Sequence, residues 1–181
     1  MFPLVTNDLC IRPFQEGDVP AFVAAVLESV STVGVWFSWC NSGFSIQDAT
    51  SWISSRTANL QSGDAFDVGA FSEDGSEFLG GIAINHINKS HNMGNVGYWV
   101  PQSRQGQGIA TRAVQSIIQF GFSQLLLTRL EIVAAEMNIP SRRVAEKVGA
   151  MFECIARNRV LVHGLPQPAA VYSLVSERCG F

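Results

Sequence analysis

The stretch from Gln107 to Phe122 constrains the fold more than any other segment. Ile109, Ala110, Ala113, Val114, Ile117, Ile118 and Phe120 leave only a polar stripe of Thr111, Arg112, Gln115 and Gln119. A helix with that much apolar surface must be covered over most of its circumference, and a sheet is the element that covers it. The flanking sequence supplies the strands. Phe66 to Phe71 and Phe78 to Ile87 alternate around the turn Ser72-Glu73-Asp74-Gly75-Ser76 and read as a hairpin, with Asn95 to Val100 as the next strand. Thr128 to Ala134 reads as a strand after the helix, and Phe152 to Val162 with Ala169 to Val175 as a last hairpin around His163-Gly164.

Three further helices are expected. Val19, Phe22, Val23, Val26, Leu27 and Val30 recur at three-four spacing behind the acidic Glu16 and Asp18. Ser45 and Asp48 form a capping box for a helix carrying Ile46, Ala49, Trp52, Ile53 and Leu60 on one face. Asn138 to Val148 has Pro140 in its first turn and Gly149 as its stop. Leu4 to Phe14 reads as the first strand, and the glycine-flanked Val33 to Phe44 as an aromatic loop. The order β, α, α, three β, α, β, α, β, β implies an α/β (α+β) domain: a mainly antiparallel sheet of about seven strands with about four helices.

Composition excludes several classes of function. With 181 residues, 47% hydrophobic and 15% charged, the chain can bury a core, and residues 1–181 read as a single domain. A net charge of −3 argues against a nucleic-acid coat. Apolar runs are too short for a membrane span, and Asp8, Arg12, Glu16 and Asp18 break any secretory signal, so the expected place of action is the cytoplasm. Cys10, Cys40, Cys154 and Cys179 are scattered and read as reduced thiols, and neither they nor His86, His91 and His163 have metal-site spacing.

The chemistry-bearing segment is Arg104-Gln105-Gly106-Gln107-Gly108-Ile109-Ala110, between a strand end and the long helix. Two glycines allow close approach of a ligand to the backbone, and a helix start offers N–H groups and partial positive charge. The segment is either an anion cradle, best suited to a pyrophosphate, or an ordinary strand-to-helix corner. A P-loop is ruled out because no lysine follows Gly108, and a dinucleotide fingerprint because Thr stands at position 111.

Gln105, Gly108 and Ala110 fit the pattern Q/R-x-x-G-x-G/A. With Gly97-Tyr98-Trp99-Val100 before it, Asn138-x-x-Ser141 after it and Glu146-Lys147-Val148-Gly149-Ala150 beyond, the sequence resembles the GNAT superfamily of N-acetyltransferases. Within that superfamily it is similar to the RimJ/RimL branch that acetylates ribosomal-protein N-termini. The resemblance covers residues 1 to 175. It implies the GNAT fold, a sheet splayed between the fourth and fifth strands of that fold, with acetyl-CoA as co-substrate and no metal. The cofactor-binding residues it implies are Val100, Gln105, Gly106, Gln107, Gly108, Ile109, Ala110, Asn138 and Ser141. A backbone N–H at Trp99 or Val100 would polarise the thioester carbonyl, and Ser141 would protonate the leaving thiolate.

The implied acceptor is a primary amine, foremost the N-terminal α-amine of a ribosomal protein, attacked directly in a ternary complex. A small amine or amino acid is the rival acceptor, and a non-catalytic acyl-CoA sensor the rival function. Glu131, Glu136, water or no group at all is left as the base. Arg104, Arg112, Arg142 and Arg143 are candidate phosphate contacts, and the Trp36 to Trp39 stretch is either an acceptor wall or a cap on the core. Its aromatics also hint at a homo-oligomer. Gly164 is followed by Leu165-Pro166-Gln167-Pro168, where family members often carry an acidic residue, so acceptor choice is expected to diverge.

Overall fold

A computed structural model describes residues 2–6 and 8–176. Its strands are β1 (Leu4–Val5), β2 (Leu9–Arg12), β3 (Phe66–Ser72), β4 (Phe78–Asn88), β5 (Met93–Trp99), β6 (Arg129–Ala135), β7 (Met151–Val162) and β8 (Leu165–Val175). Its α-helices are α1 (Val19–Glu28), α2 (Ile46–Ser62), α3 (Ile109–Ser123) and α4 (Ile139–Lys147). The strands form one sheet in the order β1-β2-β3-β4-β5-β6-β8-β7. Every neighbouring pair is antiparallel except β5 and β6, which are parallel.

The expected apolar helix is α3, running from Ile109 rather than Gln107 because Gly106 and Gly108 hold left-handed backbone before it. Val114 and Ile117 are wholly buried against Val68, Ile84, Val96 and Leu130 of the sheet. The opposite face of the sheet is covered by α1 and α2 through a second cluster built on Phe14, Phe22, Ile53, Phe71 and Phe78. Burial of each such large side chain stabilises by roughly 1.5–3 kcal/mol, so these two clusters dominate the folding energy.

Several expectations need correction. The segment Leu4 to Phe14 is two strands, not one. Thr6 N–H donates to the Leu9 carbonyl at 2.9 Å, and Leu4 pairs back onto Ile11, which raises the strand total among the described residues from seven to eight. Phe14 leaves the sheet and packs on Phe22 and Trp52 with ring centroids 5.4 and 5.3 Å away. Asp18 is engaged by Arg12 at 2.7 and 2.9 Å rather than left to the helix dipole, and Glu16–Asp18 is a 3-10 turn leading into α1. In α1, Ala25 joins the buried stripe while Leu27 is turned outward, and in α2 Ile46, at the first helical position, is exposed rather than part of the buried face. The last strand starts at Leu165, four residues early: Pro166 pairs with Leu161, but β6 reaches only as far as Ala169, so the missing proline N–H groups fall where β8 has a neighbour on one side only. Cys179 lies outside the described residues.

The parallel pair holds the feature that matters most. It is joined at only three positions, Met93↔Arg129, Gly94↔Leu130 and Asn95↔Glu131. Beyond them the strands separate, so Val96 to Trp99 of β5 and Ile132 to Ala135 of β6 face a gap. This is the expected splay, falling between β5 and β6 here because the first strand is divided.

Candidate active site

Three devices hold the gap open. At the end of β5, Trp99 is anchored on the α1/α2 face, with ring centroids 5.6 Å from Phe22 and from Phe78 and 5.4 Å from Trp39. Gly80 and Gly81 leave it room: a Cβ on Gly81 would lie 2.3 Å from Trp99 Nε1, and one on Gly80 2.6 Å from the Trp99 carbonyl oxygen. On the far side, β6 stays paired to β8 along its whole length, from Arg129↔Val175 to Ala135↔Ala169. After β5, a 3-10 turn (Gln102–Arg104) is tied to the end of α1: Gln102 N–H donates to Ser29 Oγ at 3.0 Å, and Ser103 Oγ donates to Glu28 Oε1 at 2.8 Å.

The glycine loop follows. Gly106 and Gly108 have φ of +76° and +75°, which non-glycine residues adopt only at a cost. Gly108 is the N-cap of α3 and has no side chain to close the first turn, so the early N–H groups of α3 open onto a cleft. Gln105 Nε2 braces the loop by donating to Thr32 Oγ1 at 3.2 Å and the Val100 carbonyl at 3.1 Å.

That cleft encloses about 320 Å³. Of the residues expected to bind the cofactor, Val100, Gln105, Gly106, Gly108, Ile109, Ala110, Asn138 and Ser141 line it, and Trp99 does so as well. Gln107 is the exception: its side chain turns back to the Ser103 carbonyl at 3.1 Å. Thr111, on the first turn of α3, lines the cleft and was not anticipated from the sequence. Of the arginines, Arg143 and Arg104 line it, joined by Lys147. Arg104 also pairs with Glu77. Arg112 is drawn away by Asp8 at 2.7 Å and the Gln107 carbonyl at 2.9 Å, and Arg142 by Tyr172 Oη at 3.2 Å and the Glu136 carbonyl at 3.0 Å.

Asn138 caps α4, its Oδ1 accepting from Ser141 N–H at 3.2 Å, while its side chain also faces the cleft. Ser141 has a partner that sequence reasoning missed. Tyr98 Oη donates to the Ser141 carbonyl at 2.8 Å and accepts from Ser141 Oγ at 3.1 Å. Burial pushes the Tyr98 phenol up to about 12, so it stays protonated across ordinary pH. Nothing in the local sequence signals this pair, which is 43 residues apart and created by the splay.

A second cavity of about 300 Å³ lies on the α1/α2 face. It shares Phe37, Tyr98 and Trp99 with the first, so the two meet at the end of β5. The Trp36 to Trp39 stretch is therefore a wall: Trp36 and Phe37 line the first cavity, Phe37 and Trp39 the second. Neither Glu131 nor Glu136 lines either cavity. The Glu131 carboxylate is taken by Arg129 at 2.9 Å, with Arg159 3.7 Å away. The carboxylate that does line the second cavity is Asp67, whose proton affinity burial raises against the pull of Arg56.

The family pattern for the acetyltransferase (GNAT) domain matches residues 8–151. The chain belongs to the GNAT acetyltransferases. A solved Vibrio cholerae structure, provisionally named a ribosomal-protein-serine acetyltransferase, superposes with a TM-score of 0.86 at 34% identity, covering 97% of this chain and 100% of that one. The ribosomal-protein-serine acetyltransferase of Escherichia coli is 26% identical over 149 residues, 82% of each chain. YdaF of Bacillus subtilis, provisionally named a ribosomal N-acetyltransferase, is 34% identical over 102 residues, 56% of this chain and 55% of that protein. The chain thus spans about half the length of that relative. As a GNAT protein the chain is an N-acetyltransferase, and its mixed sheet with a splay between β5 and β6 is the fold of that family.

Proposed function

We propose that this chain, acting as one domain in the cytoplasm, transfers the acetyl group of acetyl-CoA to a primary amine, foremost the N-terminal α-amine of a ribosomal protein. The observation that carries the reading is the meeting of two cavities at Tyr98 and Trp99. One has the fittings for a pyrophosphate and a thioester, and the other is a separate way in for the amine. Two relatives named for ribosomal-protein-serine acetylation support the acceptor class.

The donor cleft passes a test of fit. Its glycine loop and the uncapped start of α3 present N–H groups with no side chain over them, which suits a pyrophosphate. Arg143 and Lys147 add positive charge nearby. Backbone groups of Val96 to Trp99 that point away from β4, left without a partner on the β6 side by the splay, suit the amides of an extended pantetheine arm. Acetyl-CoA supplies the acetyl group in activated form, as a thioester.

The chain's residues do the rest. The Trp99 and Val100 backbone, at the junction of the cavities, directs an N–H at the carbonyl oxygen, where negative charge develops as the amine nitrogen bonds to the carbonyl carbon. Ser141 hands a proton to the sulfur as the C–S bond breaks, and Tyr98 holds the serine in place. The acceptor nitrogen loses one proton to water, and Ser141, which gives its proton to the sulfur, regains one from water, so the exchange balances. No carboxylate base is required, because an α-amine with a pKa of ~7.7–8.0 is partly neutral at physiological pH.

The test is a thermal shift with acetyl-CoA, CoA, ATP and NAD in parallel, followed by incubation with N-terminal ribosomal-protein peptides and mass analysis. Ligand at a hundred times its dissociation constant adds about 2.7 kcal/mol, or roughly 5–11 °C for a chain this size. Shifts confined to acetyl-CoA and CoA, with one acetyl gained at the peptide α-amine, are expected. No CoA shift at millimolar ligand refutes the reading.

A further inference from the structure

The second cavity is built for one kind of guest. Its walls are rings: Phe22, Trp39, Phe44, Trp52 and Trp99. Its floor is low because β4 and β5 place Ala83 and Gly97 on this face, where strand alternation would otherwise set large side chains, while the Trp99 ring lies over Gly81. Phe37 and Trp39 at the mouth are 40% and 37% exposed, an apolar investment at the surface that a purely structural cap does not need. Polar groups are few. Asn85 accepts from Asn95 Nδ2 at 3.1 Å through its Oδ1, which commits that oxygen and leaves the amide N–H groups for the cavity. Asp67 pairs with Arg56 at 3.3 Å through Oδ2 alone.

We propose that this cavity selects the acceptor, and that the preferred acceptor is an amine carrying an aromatic group beside it. This rests on the transferase reading above and narrows it. A flat ring stacks or meets edge-on with the walls, as those rings already do with one another. A serine or alanine side chain would leave most of the cavity empty. Asp67 has an acceptor atom for a phenol or indole donor at the far edge of the ring, two strands from the reaction point at Trp99.

The experiment measures kcat/KM at saturating acetyl-CoA for one peptide series differing only at its first residue (Ser, Ala, Leu, Phe, Tyr), with free phenylethylamine as a second arm. The aromatic members are expected to exceed Ser and Ala by at least about tenfold. The peptide arm against the free-amine arm tells a protein N-terminus from a small molecule as the source of the ring, and an aromatic substrate of either kind that exceeds the Ser and Ala peptides supports the inference. In Gly97→Val, which fills the floor, the aromatic-to-alanine ratio is expected to fall several-fold, while the acetyl-CoA thermal shift reports folding and donor binding. Should that variant not fold, Gly97→Ala serves, because its Cβ would meet only Asn85 Nδ2, at 3.7 Å. Normal donor binding with Ser or Ala peptides equal to or better than the aromatic ones overturns the inference and leaves the transferase reading standing. Loss of donor binding in the unaltered protein overturns both.

Discussion

Removing the phenol of Tyr98 separates a positioning role from a packing role at the proposed reaction centre. In Tyr98→Phe the ring remains and two hydrogen bonds go: the one donated to the Ser141 carbonyl at 2.8 Å and the one accepted from Ser141 Oγ at 3.1 Å. Each is worth about 1 kcal/mol net, so stability should fall by about 1–2 kcal/mol and Tm by roughly 2–8 °C. The catalytic effect has a different origin. A serine hydroxyl freed from its partner spreads over about three staggered rotamers, which by itself costs about threefold in the population facing the sulfur. Loss of polarisation by the neighbouring hydroxyl adds to that, so kcat should drop by about three- to tenfold with little change in the KM for acetyl-CoA. CoA release followed with a thiol-reactive dye gives both constants.

The decisive comparison is the cycle with Ser141→Ala. If Tyr98 acts through Ser141, the double variant is no slower than Ser141→Ala, and the coupling approaches the whole effect of Tyr98→Phe. A kcat that falls additively in the two variants, or a lower Tm with unchanged kcat, refutes the positioning role. Because the phenol is raised to about 12, the rate of the unaltered protein should show no ionisation of Tyr98 below about pH 11.

Two further outcomes follow from other parts of the molecule. Gly108→Ala puts a Cβ at φ +75°, 3.0 Å from the movable Nη1 of Arg112, so the cost is chiefly backbone strain of about 1–2 kcal/mol. Titration calorimetry should show CoA binding weakened by about 5- to 30-fold, and unchanged affinity would return the glycine loop to an ordinary corner. Glu153 accepts from Arg129 at 2.7 and 2.9 Å and from Ser173 Oγ at 2.7 Å, which holds its carboxyl down to about 2. A folded pKa below the unfolded ~4.3 stabilises above that value and ceases to do so as pH falls toward 2. The side chain is 38% exposed, so screening keeps the effect under about 1 kcal/mol. Urea denaturation should therefore show Glu153→Gln less stable than the parent at pH 7, with the difference about halved at pH 3 and closing only toward pH 2, and a pH-independent difference would contradict the pairing.

What was legible in the sequence was local. The capping box at Ser45 and Asp48 is present as expected, with Asp48 N–H donating to Ser45 Oγ at 3.2 Å. The α3 helix and the glycine loop were legible because their reasons lie within a dozen residues. What was not legible depends on distant partners. Arg112 is a phosphate candidate by its place in the chain, yet Asp8, over a hundred residues away, turns it aside. Asp67 carries no local signal of a role: it becomes a cavity residue only because α2, through Arg56 and Trp52, and the aromatic loop fold over it. Pro166 and Pro168 argue against a strand until the shorter length of β6 leaves one side of β8 open beside them.

The placement of the chemistry follows from the alternation of a strand. Side chains of consecutive residues on β5 point to opposite faces of the sheet. Trp99 goes to the α1/α2 face and forms a wall of the aromatic cavity, while Tyr98 goes to the other and reaches Ser141 on α4. The backbone at this point is the partition between the cavities, and it is backbone that β6 no longer pairs, since their ladder ends at Asn95↔Glu131. A longer ladder would satisfy these N–H groups and close the gap, adding stability and removing the site. The pairing stops where it does because the two strands are held from outside, β5 by the seat of Trp99 against Phe22 and Phe78, and β6 by its full register with β8. The Gly80-Gly81 pair that seats Trp99 is therefore as much a part of the proposed reaction centre as the serine, although neither glycine has a side chain to contribute.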